Sequence, residues 1–345
     1  MLNNLFITKT PYQYLSAINI CNVVYSSKEF YNEIYFFPKD NNSVFYESKE
    51  NSLPFNGIIR SIGTEEKISF YKSIRKNKYE RVFFFQENDI LNKYVSYHLK
   101  KQGTIICLGP DGTKPYAVFD KSHELLSMLK DTNKDYMYLI KNNLLFPRIF
   151  WSRYYRYGAS KIIDEVWLQH PELFDKKKNK TKGELIKMPE LENSTIEIVK
   201  KTMVGEDMNL PDLNKCIIYF NQPIWSKKLI DKEIEILNFL SNHHNTLPLY
   251  LKLHPLTPEE NLKRIKEVKG INIIYNKIPA EVYINHAKDS IMLTPWSTAL
   301  MHVLGERNKY YYLYPEFQRV NDYRLNQINL IPFPHLQVLN NIEDL

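Results

Sequence analysis

Three short stretches of this chain combine side chains that can move a proton or hold an anion. Thr104-Ile105-Ile106-Cys107-Leu108-Gly109-Pro110-Asp111-Gly112-Thr113 is an apolar run that stops at a proline and then presents one acid beside a glycine. Leu249-Tyr250-Leu251-Lys252-Leu253-His254-Pro255 ends a second run in a lysine and an imidazole, and Leu293-Thr294-Pro295-Trp296-Ser297-Thr298-Ala299 ends a third in two hydroxyls. Asp111 suits a general base, and His254 suits protonation of, or a hydrogen bond to, a phosphate. Ser297 or Thr298 at a helix start suits the phosphate itself, because the first N–H groups and the positive dipole end face it. Singly, each has a plainer use: Asp-Gly is a common turn pair, a histidine can be a satisfied structural ring and a serine can be only a cap. Together, at the ends of apolar strands where open α/β sheets collect their chemistry, they point to group transfer.

The elements that must position these residues alternate regularly. Strands are expected at Leu5–Thr8, Glu33–Pro38, Gly57–Ile62, Arg81–Gln86 and Thr104–Leu108, with helical spacing over Tyr12–Tyr25, Glu66–Lys76 and Asp89–Lys101. Such a series makes a parallel sheet with right-handed crossovers. Between the first strand and helix, Thr10 can cap and Pro11 can occupy the first turn, which makes Thr10 and Gln13 cleft residues by position. A mostly helical region, Ser122–Leu145, and a strand at Ile162–Gln169 follow. From Lys215 the alternation resumes, with strands at Cys216–Phe220, Pro248–Leu253, Ile271–Tyr275, Ser290–Leu293 and Tyr310–Tyr314. The intervening helices are expected at Lys227–His243, Pro258–Val268, Ala280–Ala287 and Thr298–Gly305. At about 150 residues per domain, the 345 residues divide into two, expected at 1–190 and 191–345, with a cleft between facing carboxyl edges.

Composition narrows the classes. Hydrophobic residues make up 43% and charged ones 25%, as in an ordinary globular protein, while only 10 glycines argue against glycine-rich phosphate loops. The N-terminus shows no signal-peptide pattern and no window approaches a membrane span, so a cytoplasmic location is expected. Cys21, Cys107 and Cys216 lie far apart in apolar segments and read as buried thiols; no Asp-x-Asp, HExxH or Cys/His cluster suggests a metal. The net charge of +7 permits an acidic partner, but the lysines are dispersed and no nucleic-acid module is present. Residues 146–157 interleave aromatics with Arg148, Arg153 and Arg156. Such a mixture can seat rings at lipid headgroups, or simply pack as a helix whose arginines snorkel. His170-Pro171 lacks a lysine two residues earlier and reads as a structural turn; Glu316, closing the last strand, either reaches a ribose hydroxyl or is an exposed loop acid.

Asp111-Gly112, then Lys252-Leu253-His254-Pro255, then Ser297-Thr298 resembles, in that order, the bacterial sialyltransferases and polysialyltransferases of GT-B fold. Those families share an acidic-acidic-glycine motif, a His-Pro motif and a serine/threonine motif. The resemblance implies two Rossmann-like α/β domains with parallel sheets facing a central cleft. It also implies inverting, metal-independent transfer of a sialic acid, or a related nonulosonic acid, from its CMP donor such as CMP-sialic acid to a glycan hydroxyl. The expected setting is bacterial capsule, O-antigen or lipooligosaccharide synthesis by a cytoplasmic enzyme that can be peripheral at the inner membrane. By that carry-over Asp111 is the base, His254 assists the departing phosphate, and Ser297 and Thr298 bind it. Lys252, from its charge and position, Pro255, from the His-Pro motif, and Glu316, from its place after the last strand, complete the expected donor site. The chain departs from the pattern at Pro110, which stands where the first acid of the pair would be. Rival readings are a CMP-Kdo or other nonulosonate transferase, a nucleotide-sugar epimerase, and a non-catalytic glycan-binding protein.

Overall fold

The central strands of both main sheets are short runs of mostly aliphatic and aromatic residues, too uniformly apolar to leave one face in water, and parallel sheets covered by helices are where such runs belong. The computed structural model describes residues 1–38, 53–112, 115–118, 125–144, 146, 157–204, 210–244, 246–276, 278–320, 329–330 and 333–345. They form two compact units, Met1–Pro115 with Asp120–Glu206, and Tyr116–Phe119 with Asp207–Leu345.

The first unit runs β1 (Leu2–Thr8), α1 (Pro11–Val23), β2 (Phe30–Phe36), β3 (Gly57–Ser61), α2 (Lys67–Ile74), β4 (Arg81–Phe84), α3 (Ile90–Lys100) and β5 (Ile105–Leu108). After α4 (Leu125–Lys141) come β7 (Glu165–Leu168), α5 (Lys176–Asn179), β8 (Glu184–Lys187) and α6 (Asn193–Val204). Its seven strands lie in the order β3-β2-β1-β4-β5-β7-β8, and every pair is parallel. The centre is aromatic: Phe6 of β1 stacks on Phe83 of β4 at 4.4 Å between ring centroids. The local signals act as expected at two helix starts. Thr10 accepts from the Gln13 N–H with Pro11 in the first turn of α1, and Asp89 accepts from the N–H groups of Leu91 and Asn92 at the start of α3.

The domain boundary falls later than residue 190. Helix α6 packs on α1, where the Tyr14 hydroxyl lies 2.7 Å from Thr202 Oγ1 and the Thr195 hydroxyl donates to Asn19 Oδ1 at 2.9 Å. These buried bonds tie residues 193–204 to the first unit. His170-Pro171 opens one 3₁₀ turn, Pro171–Leu173, with His170 paired to Glu172, as a structural turn should.

The second unit takes β6 (Ala117–Val118), then β9 (Ile217–Phe220), α7 (Lys227–His243), β10 (Leu249–Lys252), α8 (Glu259–Lys266), β11 (Ile271–Ile274), α9 (Ala280–His286) and β12 (Ile291–Thr294). It closes with β13 (Lys309–Tyr312), α10 (Tyr314–Gln318), β14 (Asn329–Leu330) and β15 (Leu336–Val338). Six strands form the parallel order β11-β10-β9-β12-β13-β15, while β14 and β6 make a separate antiparallel pair. Renumbered from β9, the large sheet reads 3-2-1-4-5-6, a doubly wound order whose crevice opens where the winding reverses, between β9 and β12. In the first unit the corresponding reversal lies between β1 and β4.

One expected helix does not form. Thr298–Gly305 contains only a 3₁₀ turn, Thr298–Met301, followed by an extended His302. A helix would bond the Leu304 N–H to the Leu300 carbonyl, but the first donates to the Tyr310 hydroxyl at 3.0 Å and the second accepts from the His335 ring at 2.8 Å. Tertiary partners have taken both groups. Among the described residues no helix is long and apolar enough to cross a membrane.

Leu251 is fully buried in the cluster around β10, whereas Leu256, just after it, is 42% exposed. Leu251→Ala is expected to lower unfolding free energy in urea by about 2–5 kcal/mol, and Leu256→Ala by less than about 0.5 kcal/mol.

Candidate active site

The first unit's sheet ends in a polar cluster at the reversal point. Asp111 follows β5 and is half-buried, and its Oδ1 accepts from Gln13 Nε2 at 2.8 Å. The amide of Gln13 cannot turn over without loss, because its Oε1 accepts from the Lys9 backbone N–H at 2.9 Å. The Lys9 ammonium pairs with Asp89, the cap of α3. Burial presses Lys9 below the usual lysine range in spite of that partner. Burial also opposes ionisation of Asp89, but Lys9 and the Asn92 N–H outweigh it and hold the carboxyl below its ordinary value.

The turn that carries Asp111 is fixed from two sides. Gly109 lies against the Phe85 ring so closely that a Cβ there would meet it at 2.4 Å, and the Gly109 carbonyl accepts from the Tyr157 hydroxyl. Tyr157 belongs to a loop held by Glu87, whose oxygens accept from the Gly158 and Ser160 N–H groups at 2.8 and 2.7 Å. Burial pushes the Glu87 carboxyl up to about 7, against those two bonds. Gly112 sits at φ +70, a backbone region that favours glycine, so Gly-Pro-Asp-Gly has steric reasons at both ends.

In the second unit the crevice is flanked by the loops after β9 and β12, with His254 after β10. Leu256 N–H donates to His254 Nδ1 at 3.1 Å, so a neutral ring carries its proton on Nε2. Ser297 caps its 3₁₀ turn by accepting from the Ala299 N–H at 3.1 Å, and its carbonyl accepts from the Tyr312 hydroxyl at 2.9 Å. Ser297 and Thr298 are half-buried, but one turn of 3₁₀ helix supplies neither the dipole nor the row of N–H groups expected of a longer helix. Any anion held here depends on the hydroxyls and the local N–H groups.

Two expected donor-site residues are committed elsewhere. The Lys252 ammonium is buried and donates to the carbonyls of Leu253 at 3.0 Å and Asn276 at 2.6 Å, and burial lowers it to about 8 against the attraction of Glu281. It therefore ties the end of β10 to the end of β11. Glu316 is not an exposed acid: it is 1% exposed, accepts from the Ile342 N–H at 2.7 Å, and lies 3.0 Å from the Lys232 ammonium. Pro255 is exposed beside His254. Glu281, in the first turn of α9, was not singled out by the sequence, yet it is a buried acid pushed by burial to about 7 beside Lys252. Its signal was faint, an acid one residue after Pro279-Ala280.

The three cysteines are buried and none is in a disulfide. Among the described residues no group of three or more His, Cys, Asp or Glu side chains could hold a metal ion. Arg148, Arg153 and Arg156 of the aromatic-basic segment lie outside the described residues.

No protein-family model matches the chain, and no curated protein matches it by sequence. Solved structures do resemble it. The S. aureus MnaA–UDP co-structure has a TM-score of 0.51 at 11% identity, over 91% of this chain and 79% of that one. The GT-B domain of a Photobacterium damselae sialyltransferase gives 0.47 at 14% identity, over 91% of both chains. A Methanocaldococcus jannaschii UDP-GlcNAc 2-epimerase, in complex with UDP-GlcNAc and UDP, gives 0.47 at 12% identity, over 99% of this chain and 90% of that one. The fold is of GT-B type. At such identities the likeness reaches the fold alone, and the chemistry must be argued from this chain's side chains.

Gly109→Ala is expected to lose about 1–3 kcal/mol in urea unfolding, and adding Phe85→Leu is expected to recover part of that loss, a coupling readable in a double-mutant cycle. Because Asp89 is held below its unfolded value, its contribution is present above about pH 4 and lost as pH falls through the folded value. Asp89→Asn is therefore expected to flatten the acid side of the urea-midpoint profile.

Proposed function

We propose that the chain is an inverting, metal-independent glycosyltransferase that moves a sialic acid, or a related nonulosonic acid, from its CMP donor to a hydroxyl of a glycan acceptor. Bacterial surface polysaccharide or lipooligosaccharide is the acceptor class. In this reading Asp111 takes the proton of the acceptor hydroxyl as its oxygen bonds to the anomeric carbon. The bond from that carbon to the CMP phosphate oxygen breaks, and the electron pair leaves with CMP. His254 Nε2–H hydrogen-bonds or protonates the departing phosphate, and Ser297 and Thr298 hold it.

The observation that carries the proposal is the second unit's edge. In a 3-2-1-4-5-6 sheet, an Nε2–H imidazole after β10 and a hydroxyl pair after β12 flank the strand β9 that lies between them. Two inter-strand steps separate those loops by roughly 10 Å at the strand ends, room for a nucleotide phosphate. For Asp111, support comes from the Gln13 amide, whose N–H donates to Oδ1 and so fixes the orientation of the carboxyl group, with Oδ2 the oxygen that faces a substrate hydroxyl in this reading. Lys252 has a supporting part, since its ammonium is spent on backbone carbonyls.

Calorimetric titration with CMP, UDP and GDP tests the nucleotide. CMP alone is expected to bind, and His254→Ala to weaken it about tenfold. Asp111→Asn is expected to keep CMP affinity while lowering turnover of CMP-sialic acid with a glycan acceptor by about a hundredfold or more. Binding of UDP in place of CMP would move the chain to the epimerase reading, and full activity in Asp111→Asn would remove the base.

A further inference from the structure

Asn221 stands directly after β9 at the crevice of the second unit and is 3% exposed. Its side-chain amide is engaged at both ends. Nδ2 donates to the two oxygens of Glu233 at 2.9 and 3.0 Å, and Glu233, fully buried on α7, also accepts from the Tyr219 hydroxyl at 3.1 Å. With its nitrogen committed to a carboxylate, the amide must present its oxygen to the opposite side. There Asn221 Oδ1 accepts from the His254 backbone N–H at 3.3 Å and from the Thr257 hydroxyl. Two points of the turn after β10 are thus fastened to the end of β9. Inside that turn the Leu256 N–H reaches His254 Nδ1.

We infer that Asn221, oriented by Glu233, is the positioning residue that holds the His254–Thr257 turn and so keeps the imidazole in its Nε2–H form. The inference deepens the proposed donor site and rests on that reading for its purpose, though not for its geometry. A buried acid whose partners are two neutral donors is a costly way to fill space, since an apolar side chain of similar size would pack without the desolvation. What the acid adds is direction: it fixes which end of the Asn221 amide meets the turn.

The test reads the ring before it reads activity. In protein labelled with [¹⁵N]histidine, long-range ¹H–¹⁵N correlation distinguishes the two neutral tautomers, and the His254 signals are those missing from His254→Ala. Wild type is expected to show Nε2–H at His254. Asn221→Ala is expected to shift the ring to a mixture of tautomers and to weaken CMP about tenfold, without changing the signals of the other histidines. Because that variant strands Glu233, Thr257→Val is measured alongside it; it removes one of the two fastenings and is expected to change ring and affinity in the same direction by a smaller factor. An Nδ1–H ring in wild type, or an unchanged ring in every folded variant, overturns the inference. If the ring shifts in a protein whose wild type never bound CMP, the positioning role stands and the donor reading fails. If wild type binds CMP and the variants change neither ring nor affinity, the positioning role fails and the donor reading stands.

Discussion

A buried carboxamide has two ends that are not interchangeable, and committing one end aims the other. The chain uses this constraint at the edge of each main sheet. Gln13 spends its oxygen on the Lys9 N–H and turns its nitrogen to Asp111, while Asn221 spends its nitrogen on Glu233 and turns its oxygen to the His254 turn. Each amide sits at the reversal point of its sheet, where loops diverge and backbone bonding alone leaves a side chain undirected. A rigid parallel sheet supplies the platform, and the amides convert its rigidity into the orientation of one carboxylate and one imidazole.

That platform explains where polar groups can stand. Strand β9 is buried along its whole length, so its first opportunity for a functional polar residue is the position after Phe220, which is Asn221. The same holds for Asp111 after Leu108-Gly109-Pro110, for His254 after Lys252-Leu253, and for Ser297 two residues beyond Pro295. Lys252 shows the cost of coming one step early. Still within its strand, it is surrounded by protein, and its charge is spent on two carbonyls instead of reaching the edge.

Much of this was legible because it is local. Alternating apolar runs and helical spacing gave the two parallel sheets, and Gly-Pro-Asp-Gly and His-Pro marked strand ends because proline and glycine restrict the backbone wherever they occur. What could not be read depends on partners far along the chain. The helix after Ser297 fails because Tyr310 and His335 take its backbone groups, and nothing between Thr298 and Gly305 announces them. Glu316 looked accessible at a strand end, but Lys232 and the Ile342 N–H, 84 and 26 residues away, enclose it. Asn221 gave the least warning: one asparagine after a strand is ordinary, and only Glu233 at its back distinguishes it.

The buried acids divide by the kind of donor they meet. Asp89 faces an ammonium and two backbone N–H groups, and the charged form is the favoured one. Among the described residues Glu87 and Glu233 accept hydrogen bonds from neutral donors, and burial carries both to about 7, in Glu87 against the attraction of Lys93 as well. The two classes act on stability with opposite sign. A carboxyl held low gains stability for the fold as pH rises from its folded value to its unfolded one, whereas one held high loses it between its unfolded value, about 4.3, and its folded one. The neutral-donor acids are therefore no aid to stability near neutral pH, and burying them is a cost the core must offset. Both stand one layer behind an edge loop, Glu87 behind the Tyr157 loop and Glu233 behind Asn221, where the carboxyl oxygens accept from backbone and amide groups and hold them to one arrangement. Placement and cost together argue that these acids serve the geometry of the sheet edges and not the strength of the fold.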